Sequence, residues 1–422
     1  MSKKIIAFLL VAMMLVSAAL LASCGKGGNT NANETESLLP APTLEKFTVK
    51  DDFKIGVICL HDENSTYDNN FIRAIRNVQK ALGLSDEQVL VKTNIPESSA
   101  CKDAAVEFAK GGCKIVFADS FGHEEHMIAA AKEYPDVQFC HATGTRAHTE
   151  GLSNYHNAFA SIYEGRYLAG IAAGMKLNEM IEAKKITAEQ AVMGYVGAFT
   201  YAEVISGLTS FYLGAKSVCP SVTMKVRYTG SWYDPATEKE AATALIQTDK
   251  CVLISQHADS LGAPTACEDA GVPNISYNGS TIEAGENTFI ISSAINWEPY
   301  FHYIIKQVTE GKAIDTDWTG NIATGSIVLS GLNKKAAAEG TKEAIDKAIA
   351  EFKAGTLHVF NTANFTVGGS KLDSYMADVH YDTAFEKDTE AVKDGYFHES
   401  EYRSAPYFDV RIDGIEFINE KY

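Results

Sequence analysis

The sequence predicts an α/β protein with two lobes, each built on a doubly wound, mainly parallel sheet. From Lys54 onward, short apolar runs alternate with helical patterns, which is typical of a parallel sheet covered by helices on both faces. A long helical pattern interrupts this alternation once, and the alternation then restarts. The chain has 422 residues, of which 46% are hydrophobic, enough for two or three ordinary domains with their own cores.

In the first half, strands are predicted where apolar runs lie between turn residues, and helices where apolar residues recur every three or four positions. The first helix, for example, places Phe71, Ile75 and Val78 on one face. The predicted order is strand 54–60, helix 69–84, strand 89–94, helix 99–110, strand 114–118, helix 124–133 and strand 137–141.

The interrupting helix is predicted over 161–182, and its small residues, Gly170 and Gly174 among them, indicate close packing against a neighbouring element. The second half then follows the same criteria. Its predicted elements are strand 192–198, helix 202–218, strand 223–229, helix 235–247, strand 252–255, helix 264–270, strands 274–277 and 288–294, helix 299–310, strand 326–332, helix 334–354 and strand-like residues 356–367. The tail to Tyr422 shows no clear period.

This pattern predicts two lobes joined by hinge crossings near residues 158–163, 296–300 and 324–326. We expect lobe 1 to contain residues 54–160 and about 325–422, and lobe 2 to contain residues 161–324. In open parallel sheets the ligand lies beyond the carboxyl ends of the strands. Two such lobes can therefore present both sets of strand ends to one cleft.

The N-terminus has the features of an export signal. Lys3 and Lys4 precede an apolar run over residues 5–21, which leads into Leu21-Ala22-Ser23-Cys24. This resembles a bacterial lipobox, so residues 1–23 are predicted to be a signal peptide and Cys24 the lipid attachment site. A plain signal peptide or a spanning helix is the alternative. Residues 24–52 are predicted to form a flexible tether, which places the protein on the extracytoplasmic face of the cell membrane.

Composition excludes several classes of function. The chain has 54 acidic and 37 basic residues, a net charge of -17, which disfavours nucleic acid as a partner. Besides Cys24 there are seven cysteines with no Cys-x-x-Cys pair, so buried free thiols are predicted rather than a zinc site or a disulfide scaffold. His123-Glu-Glu-His126 is interpreted as a charged helix start, and no phosphate loop is present. We therefore predict no metal, no cofactor and no catalytic residues.

The residues after the predicted strands are aromatic, acidic, amide or hydroxyl side chains, with almost no lysine or arginine. Flat rings stack between aromatic side chains, and carboxylates and amides satisfy ring nitrogens and exocyclic amines. A neutral, partly aromatic small molecule is therefore the predicted ligand. The candidate binding residues are Asp62, Ser65, Tyr67, Ser120, Phe121, Gly122, Phe199, Trp232, His257, Asp259, Tyr277, Asn278, Asn296 and Trp297.

Several of these residues lie in longer motifs that resemble the basic membrane protein family, the PnrA-like lipoproteins that serve purine-uptake ABC transporters. The motifs are Ser120-Phe121-Gly122, His141-Ala142-Thr143-Gly144, Tyr163-Glu164-Gly165-Arg166-Tyr167, Ser231-Trp232-Tyr233-Asp234-Pro235, Gln256-His257-Ala258-Asp259-Ser260 and Asp394-Gly395-Tyr396-Phe397. The resemblance implies a type I periplasmic-binding-protein fold. It also implies a monomer that holds a purine between its lobes and docks on ABC permease subunits.

Carried over position by position, the resemblance places Asp62 in the loop after the first strand, and Phe121 and Phe199 in loops that face the ligand. Asn278 stands where nucleoside-binding members have an aspartate for the ribose, and Asn296 stands near one of their lysines. Ser65 replaces an aromatic residue of related sequences. These departures leave a free base, such as adenine, and a nucleoside equally open as ligands.

Two rival functions remain at this stage. A riboflavin or sugar receptor would use the same scaffold, although a sugar would favour more paired carboxylates and arginines. An exported nucleoside hydrolase would need clustered acidic residues for a metal or a general base, of which Asp62, Asp119 and Asp259 are the candidates. A sensor that presents its ligand to a signalling partner is a third possibility.

Overall fold

The computed structural model describes residues 33–380 and 387–420, and two sheets organise them. In chain order their strands are β1 (Ile55–Ile58), β2 (Val89–Lys92), β3 (Ile115–Ala118), β4 (Gln138–Ala142), β5 (Tyr155–Ala160), β6 (Val192–Gly197), β7 (Thr223–Tyr228), β8 (Leu253–Gln256), β9 (Asn274–Tyr277), β10 (Phe289–Ile295), β11 (Asp317–Gly320) and β12 (Ile327–Leu329). Short two-residue strands follow at β13 (Met376–Ala377), β14 (Thr389–Glu390), β15 (Val392–Lys393) and β16 (Tyr396–Phe397), and β17 (Ile415–Phe417) comes last.

The first sheet has the order β11-β5-β4-β3-β1-β2 with every pair parallel, and it forms lobe 1. The second has the order β12-β10-β9-β8-β6-β7-β17 and forms lobe 2; in it β12 pairs antiparallel with β10. Central strands such as β1 and β3 are buried along their whole length. Burial on both faces explains why they read as continuous apolar runs.

Helices cover both faces of each sheet, as the alternating pattern predicts. In chain order they are α1 (Thr66–Leu82), α2 (Ser99–Lys110), α3 (Glu124–Glu133), α4 (Ala147–Glu150), α5 (Ile162–Glu182), α6 (Ala202–Val218), α7 (Pro235–Gln247), α8 (Gly262–Ala270), α9 (Glu298–Glu310) and α10 (Thr341–Lys353). Short 3₁₀ turns lie at Phe121–His123 and Ala188–Gln190.

The small residues of α5 allow its backbone to touch that of α6. A Cβ atom added to Gly170 would lie 2.1 Å from the carbonyl oxygen of Phe211, and one added to Gly174 would lie 2.5 Å from that of Ala215. Only glycine permits so close an approach. The predicted close packing of this helix is therefore confirmed.

Between β1 and β12, three segments cross between the lobes, near the predicted positions. They run from β5 to α5, from β10 to α9 and from β11 to β12. Hydrogen bonds join them: Ser161 N donates to the carbonyl oxygen of Gly320 (2.7 Å), and Asn296 N donates to that of Ser326 (2.8 Å). The hinge is thus a narrow strip of three hydrogen-bonded segments.

The chain divides between the lobes differently from the prediction after residue 296. β11 joins the first sheet, whereas β12 and β17 join the second. Assigning residues 325–422 to lobe 1 was therefore wrong for these strands. The reason is geometric: the chain enters the first sheet at β1 and has crossed between the lobes three times by β12, so β12 lies in lobe 2.

Residues 33–50, which we call the N-terminal strap, lie across both lobes. Thr35 N donates to the carbonyl oxygen of Leu332 (2.9 Å) in lobe 2. The carbonyl oxygen of Glu45 lies 2.7 Å from Nε2 of His302, a residue of α9 in lobe 1. Phe47 also packs edge-on against the His302 ring. The expectation of a flexible tether is wrong for this part, because these contacts fix it. Residues 1–32, with the predicted signal peptide and Cys24, lie outside the described residues.

The residues after α10, called the C-terminal strap (residues 356–380 and 387–420), also contact both lobes. β17 pairs with β7 in lobe 2, while Ser404 N donates to Asp317 Oδ1 (2.8 Å) in lobe 1. The strand-like segment predicted over 356–367 contains no strand among these residues.

The described cysteines agree with the sequence interpretation. Cys59, Cys101, Cys113, Cys140, Cys219, Cys251 and Cys267 are all free and buried. None of the helices within the described ranges combines the length and apolarity that a bilayer crossing needs.

Candidate functional site

A narrow pocket lies between the carboxyl ends of the two sheets. Lobe 1 contributes residues that follow β1, β3 and β4 and the first turn of α1, and lobe 2 contributes residues that follow β7, β8 and β9 and the first turn of α6. Its lining residues are Leu60, His61, Tyr67, Asp68, Ser120, Phe121, Thr143, Glu203, Trp232, His257, Asp259, Tyr277 and Asn278. This is where a ligand binds in open parallel sheets.

Aromatic rings from both lobes meet at this pocket. Phe121 of lobe 1 stacks on Tyr201 of lobe 2 with 5.0 Å between ring centroids. Tyr201 in turn stacks on Phe199, which packs edge-on against Trp232, at 5.1 and 5.0 Å respectively. Phe121 and Trp232 line the pocket directly, whereas Phe199 supports them from behind. Such rings can hold a flat heterocycle by stacking.

Acidic side chains supply the polar recognition. Asp259 Oδ1 accepts a hydrogen bond from Asn278 Nδ2 (2.9 Å). Burial, and then repulsion from Asp68 and Glu238, raises the pKa of Asp259 well above its ordinary value. A carboxyl group that retains its proton can donate a hydrogen bond as well as accept one. Asp259 can therefore match either a ring nitrogen or an N–H group of a ligand.

Asp68 is the second buried acid of the pocket, and its pKa is shifted in the opposite direction. Its oxygens accept hydrogen bonds from His61 N (2.7 Å) and Ser65 Oγ (2.6 Å). Burial opposes its ionisation, but the hydrogen bonds from His61 and Ser65 outweigh this effect and lower its pKa. The pocket thus contains one carboxyl group whose pKa is raised and one whose pKa is lowered.

Two pocket residues at strand ends have a left-handed backbone. Thr143, directly after β4, has φ 67°, and Asn278, directly after β9, has φ 63°. Asparagine tolerates this conformation, but a β-branched threonine is strained in it. Strain of this kind concentrates at binding sites, which supports this pocket as the functional one.

The lobes already touch across the pocket. Thr66 donates two hydrogen bonds, from N and from Oγ1, to the carbonyl oxygen of Asp259, each 3.0 Å long. The rings of His61 and Tyr233 lie 5.4 Å apart across the same gap. The structure is therefore a closed form of the two-lobed molecule.

Beneath the pocket, Cys59, Asp68 and Asp119 form a buried cluster whose candidate metal-ligating atoms lie within 4.8 Å of one another. Burial, and then the neighbouring carboxylates, raises the pKa values of Cys59 and Asp119. Metal binding requires these groups to lose their protons. The raised pKa values of Cys59 and Asp119 therefore oppose metal binding at this cluster.

Known proteins share this architecture. A model of the family described as "ABC transporter substrate-binding protein PnrA-like" matches residues 59–355, well over half of the chain. The chain belongs to this family. The PnrA-like identity agrees with the resemblance that the sequence motifs carry, and it makes the chain a substrate-binding protein of an ABC transporter.

Two relatives of this PnrA-like protein are named for different ligands. A putative ABC transporter glucose-binding protein of Haloferax volcanii is 36% identical over 58% of the chain, and the match spans 59% of that relative's length. A purine-binding protein of Brucella abortus is 32% identical over 61% of the chain and 69% of the relative.

Solved structures show the fold. The ABC transporter solute-binding protein of Aeropyrum pernix K1 superposes with a TM-score of 0.60 at 17% identity, covering 73% of this chain and 93% of the other. A solute-binding protein of Conexibacter woesei has a TM-score of 0.57 at 19% identity over 72% and 98%. The PnrA-like chain therefore has the type I periplasmic-binding-protein fold that the sequence resemblance implies.

The structure brings eight of the candidate residues to the pocket: Tyr67, Ser120, Phe121, Trp232, His257, Asp259, Tyr277 and Asn278. The six others, Asp62, Ser65, Gly122, Phe199, Asn296 and Trp297, do not line it. Most of these have a structural role that the sequence alone did not reveal.

Trp297 was expected to stack on the ligand and lies in the core instead. It is 1% exposed, and its ring stacks on Phe71 of α1 with 4.4 Å between centroids. The neighbouring Asn296 holds the hinge, because its Nδ2 donates to the carbonyl oxygen of Gly325 (3.1 Å). Both residues follow the carboxyl end of β10, but the chain there turns away into lobe 1.

The three lobe 1 candidates outside the pocket stabilise local turns. Asp62 Oδ1 accepts hydrogen bonds from N (3.0 Å) and Nδ2 (2.8 Å) of Asn64. Ser65 is the N-cap of α1, and Gly122 N donates to Glu97 Oε1 (2.7 Å). The acid expected at Asp62 is replaced in the pocket by Asp68.

Five lining residues were not among the candidates: Leu60, His61, Asp68, Thr143 and Glu203. A signal for Asp68 was available, because Ser65-Thr66-Tyr67-Asp68 has the spacing in which a capping serine precedes an acid by three residues. The predicted helix began at residue 69, so Asp68 was not placed in its first turn. Glu203 and Thr143 carry no comparable local signal.

Proposed function

We propose that this chain is a lipid-anchored, extracytoplasmic receptor that delivers a purine nucleobase or nucleoside to the permease of an ABC importer. The observation that carries the ligand assignment is the composition of the pocket. It combines the aromatic rings of Phe121 and Trp232 with the carboxyls of Asp68 and Asp259, and none of its described lining residues is lysine or arginine. A neutral, planar molecule with donors and acceptors around its edge fits this arrangement.

Three further observations support the proposal. The Brucella relative is named a purine-binding protein. The lipobox-like Leu21-Ala22-Ser23-Cys24 supports lipid attachment at Cys24. Capture follows from the two-lobed form: a ligand that touches both lobes favours the closed state over the open one. No step requires the ligand to change chemically, so we propose a receptor and not an enzyme.

Glucose is a second candidate, because the Haloferax relative is named a putative glucose-binding protein. An aromatic ring such as Trp232 and carboxyls such as Asp68 and Asp259 also suit sugar hydroxyls. The purine proposal has the better support in Phe121 and Trp232, two aromatic rings from opposite lobes that both line the pocket.

Titration calorimetry with the mature chain separates the candidates. Adenine, adenosine, guanosine, riboflavin and glucose are tested at one pH. We expect a purine to bind with a Kd near or below micromolar, about -8 kcal/mol, and to raise the melting temperature. Binding of glucose or riboflavin without purine binding would refute the purine assignment. Release of free base from adenosine during the titration would refute the receptor assignment.

A further inference from the structure

Arg166, in the first turns of α5, is a buried arginine without a carboxylate partner. Its side chain is fully buried, and its guanidinium makes no ion pair with a carboxylate in the described ranges. A buried charge costs free energy unless an opposite charge compensates it. The fold of lobe 2 therefore retains a costly cation in its interior.

The guanidinium of Arg166 bonds to four strands of lobe 2, β6, β8, β9 and β10, through neutral groups. Its Nη1 donates to the carbonyl oxygen of Ser276 (3.2 Å) and to Ser293 Oγ (3.4 Å). Its Nη2 donates to Ser255 Oγ (2.7 Å) and to Tyr195 Oη (3.3 Å). These bonds hold α5 on the sheet, but they do not neutralise the charge.

A chain of polar contacts, which we call the relay, leads from Arg166 to the pocket. Tyr195 Oη lies 3.4 Å from His257 Nδ1, and His257 Nε2 lies 3.3 Å from Glu203 Oε1. Because Tyr195 Oη accepts a hydrogen bond from Arg166, its own proton is free to bond to His257 Nδ1. Of the two neutral forms of His257, only the one with its proton on Nε2 then satisfies both contacts. The relay ends on an acceptor, the carboxylate of Glu203, which lines the pocket.

Arg166 also acts on a second residue of the pocket lining, Tyr277. The guanidinium carbon lies 5.1 Å from the centroid of the Tyr277 ring, within the range of a cation–π interaction. The Tyr277 hydroxyl is buried and has no hydrogen-bond partner among the described residues. A positive charge beside the ring makes this hydroxyl a stronger donor. A buried hydroxyl that lines a pocket without a partner indicates a ligand that supplies an acceptor.

Glu203 and Tyr277 are both neighbours of the His257 ring. The rings of His257 and Tyr277 lie 4.6 Å apart, and Glu203 contacts His257 Nε2. The lobe 2 wall of the pocket thus offers an acceptor and a donor close to one another. A 6-aminopurine matches this pair, because its amine donates and the ring nitrogens beside the amine accept. A 6-oxopurine has an acceptor in place of the amine, which would face the Glu203 carboxylate.

We propose that Arg166 is a positioning residue that sets the hydrogen-bond polarity of the lobe 2 wall, so that the pocket selects a 6-aminopurine over a 6-oxopurine. Arg166 acts through Tyr195 and His257 to fix Glu203 as an acceptor, and through the Tyr277 ring to strengthen a donor. The selectivity rests on the proposed function, because it assumes that a purine occupies the pocket. The relay itself exists without a ligand and is tested without one.

Nitrogen NMR of the ligand-free mature chain, isotopically labelled at histidine, tests the relay. Comparison with His257→Gln identifies the signals of His257. We expect its neutral form with the proton on Nε2 in the unaltered chain, and a mixture of tautomers in Tyr195→Phe, which lacks the hydroxyl that fixes Nδ1. A His257 ring that carries a proton on Nδ1 in the unaltered chain, or an unchanged spectrum in Tyr195→Phe, would overturn the relay.

Calorimetry with two ligand pairs, adenine with hypoxanthine and adenosine with inosine, tests the selectivity, because the members of each pair carry an amino or an oxo group at the same position. We expect the amino member to bind about tenfold or more tighter. In Tyr195→Phe this affinity ratio should fall about threefold or more. Tyr212→Phe is the matched control and should keep the ratio within about twofold. The buried hydroxyl of Tyr212 donates to the carbonyl oxygen of Val222 (3.5 Å), and Tyr212 does not line the pocket.

Two variants at Arg166 itself separate its charge from its packing. Arg166→Met removes the charge, and Arg166→Lys keeps it. Among variants that fold, as melting temperatures without ligand verify, Arg166→Met should lose most of the affinity ratio and Arg166→Lys should retain more of it. A lower melting temperature with an unchanged ratio in Arg166→Met would assign Arg166 to structure alone.

The outcomes separate this inference from the proposed function. Equal affinities within each ligand pair in the unaltered chain, or an unchanged ratio in folded Tyr195→Phe, would overturn the selectivity, while the purine receptor would still stand. If no member of either pair binds the unaltered chain, the proposed function falls and the selectivity falls with it. The NMR result decides the relay in either case.

Discussion

Phe121 is the residue of the pocket that connects its two lobes by ring stacking, through its 5.0 Å contact with Tyr201. Phe121→Ala removes one face of the proposed stacking site. We expect purine affinity to fall about tenfold or more, the value of one stacking contact. Calorimetry on the folded variant measures this change.

The matched control for Phe121→Ala is Phe47→Ala. Phe47 is a partly buried aromatic residue of the N-terminal strap, which packs against His302 away from the pocket. Its replacement should leave purine affinity within about twofold of the original. If both variants bind purine like the unaltered chain, Phe121 is not a ligand contact.

A substitution at Trp297 tests whether this side chain contributes to the core and not to ligand binding. Trp297→Ala opens a cavity between α1 and α9, where the ring contacts Phe71 and Phe117. We expect the free energy of unfolding to fall by about 3–5 kcal/mol, with purine affinity of the folded molecules unchanged. Urea unfolding and calorimetry measure the two quantities separately. Lower purine affinity with an unchanged free energy of unfolding would instead indicate that Trp297 contacts the ligand.

At the scale of single residues, the sequence predicted which chemical groups face the cleft better than it predicted which residues carry them. Tyr67, Phe121, Trp232 and Asp259 lie at strand or helix ends and reach the pocket as expected. Asp62 and Trp297 occupy equally plausible positions in the sequence, but Asp62 bonds to Asn64 within a turn and Trp297 is buried in the core. Such orientations depend on contacts with distant segments.

The first turn of α5 joins two elements of the hinge. Glu164 Oε2 accepts a hydrogen bond from Ile322 N (2.8 Å), in the crossing between β11 and β12. Burial raises the pKa of Glu164 to about 7. Because the folded-state value exceeds the unfolded one of 4.5, the stability contributed by the protonated carboxyl is present below about pH 4.5 and is lost as the pH rises through 7.

Glu164→Gln tests this cost of ionisation, because an amide oxygen can still accept the bond from Ile322. At pH 8 we expect the variant to be more stable than the unaltered chain by roughly 1–3 kcal/mol, and at pH 4.5 we expect equal stability. Urea unfolding at both pH values measures the difference. Equal stability at pH 8 would show that the carboxylate is not penalised there. Glu189→Gln, an exposed change in the Ala188–Gln190 turn, is the control.

At the scale of elements, most strands and helices were predicted, but β5 and β11 were missed. β5 contains the buried polar residues His156 and Asn157, so it lacks the apolar run that identifies its neighbours. His156 Nε2 contacts Gln138 Oε1 (2.8 Å), and Asn157 Oδ1 accepts from Ala147 N (2.7 Å). β11 is a short, half-buried edge strand. Contacts with distant segments determine that both segments form strands, and the local sequence pattern does not indicate these contacts.

Closure of the whole molecule depends in part on Thr66, whose hydroxyl donates to the carbonyl oxygen of Asp259 in the other lobe. Thr66→Val removes this bond between the lobes and keeps the shape of the side chain. We expect the ligand-free population to shift towards the open form and purine affinity to fall about three- to tenfold. Small-angle X-ray scattering should show a larger ligand-free radius of gyration and an unchanged ligand-bound one.

Thr265→Val is the control for Thr66→Val, because the hydroxyl of Thr265 donates to the carbonyl oxygen of Leu261 within one helix (2.7 Å). It loses the same type of bond without affecting contacts between the lobes. A scattering change of equal size in both variants would contradict the proposed role of Thr66 in closure.

The two straps change the mechanics of this closure. Each is bonded to both lobes, the N-terminal strap through Thr35 and Glu45 and the C-terminal strap through β17 and Ser404. Opening of the lobes must therefore break or rearrange contacts of both straps as well as bend the hinge. The residence time of a bound solute therefore depends on strap contacts that are distant from the ligand pocket. Residence time can for this reason evolve independently of the contacts that determine which solute binds.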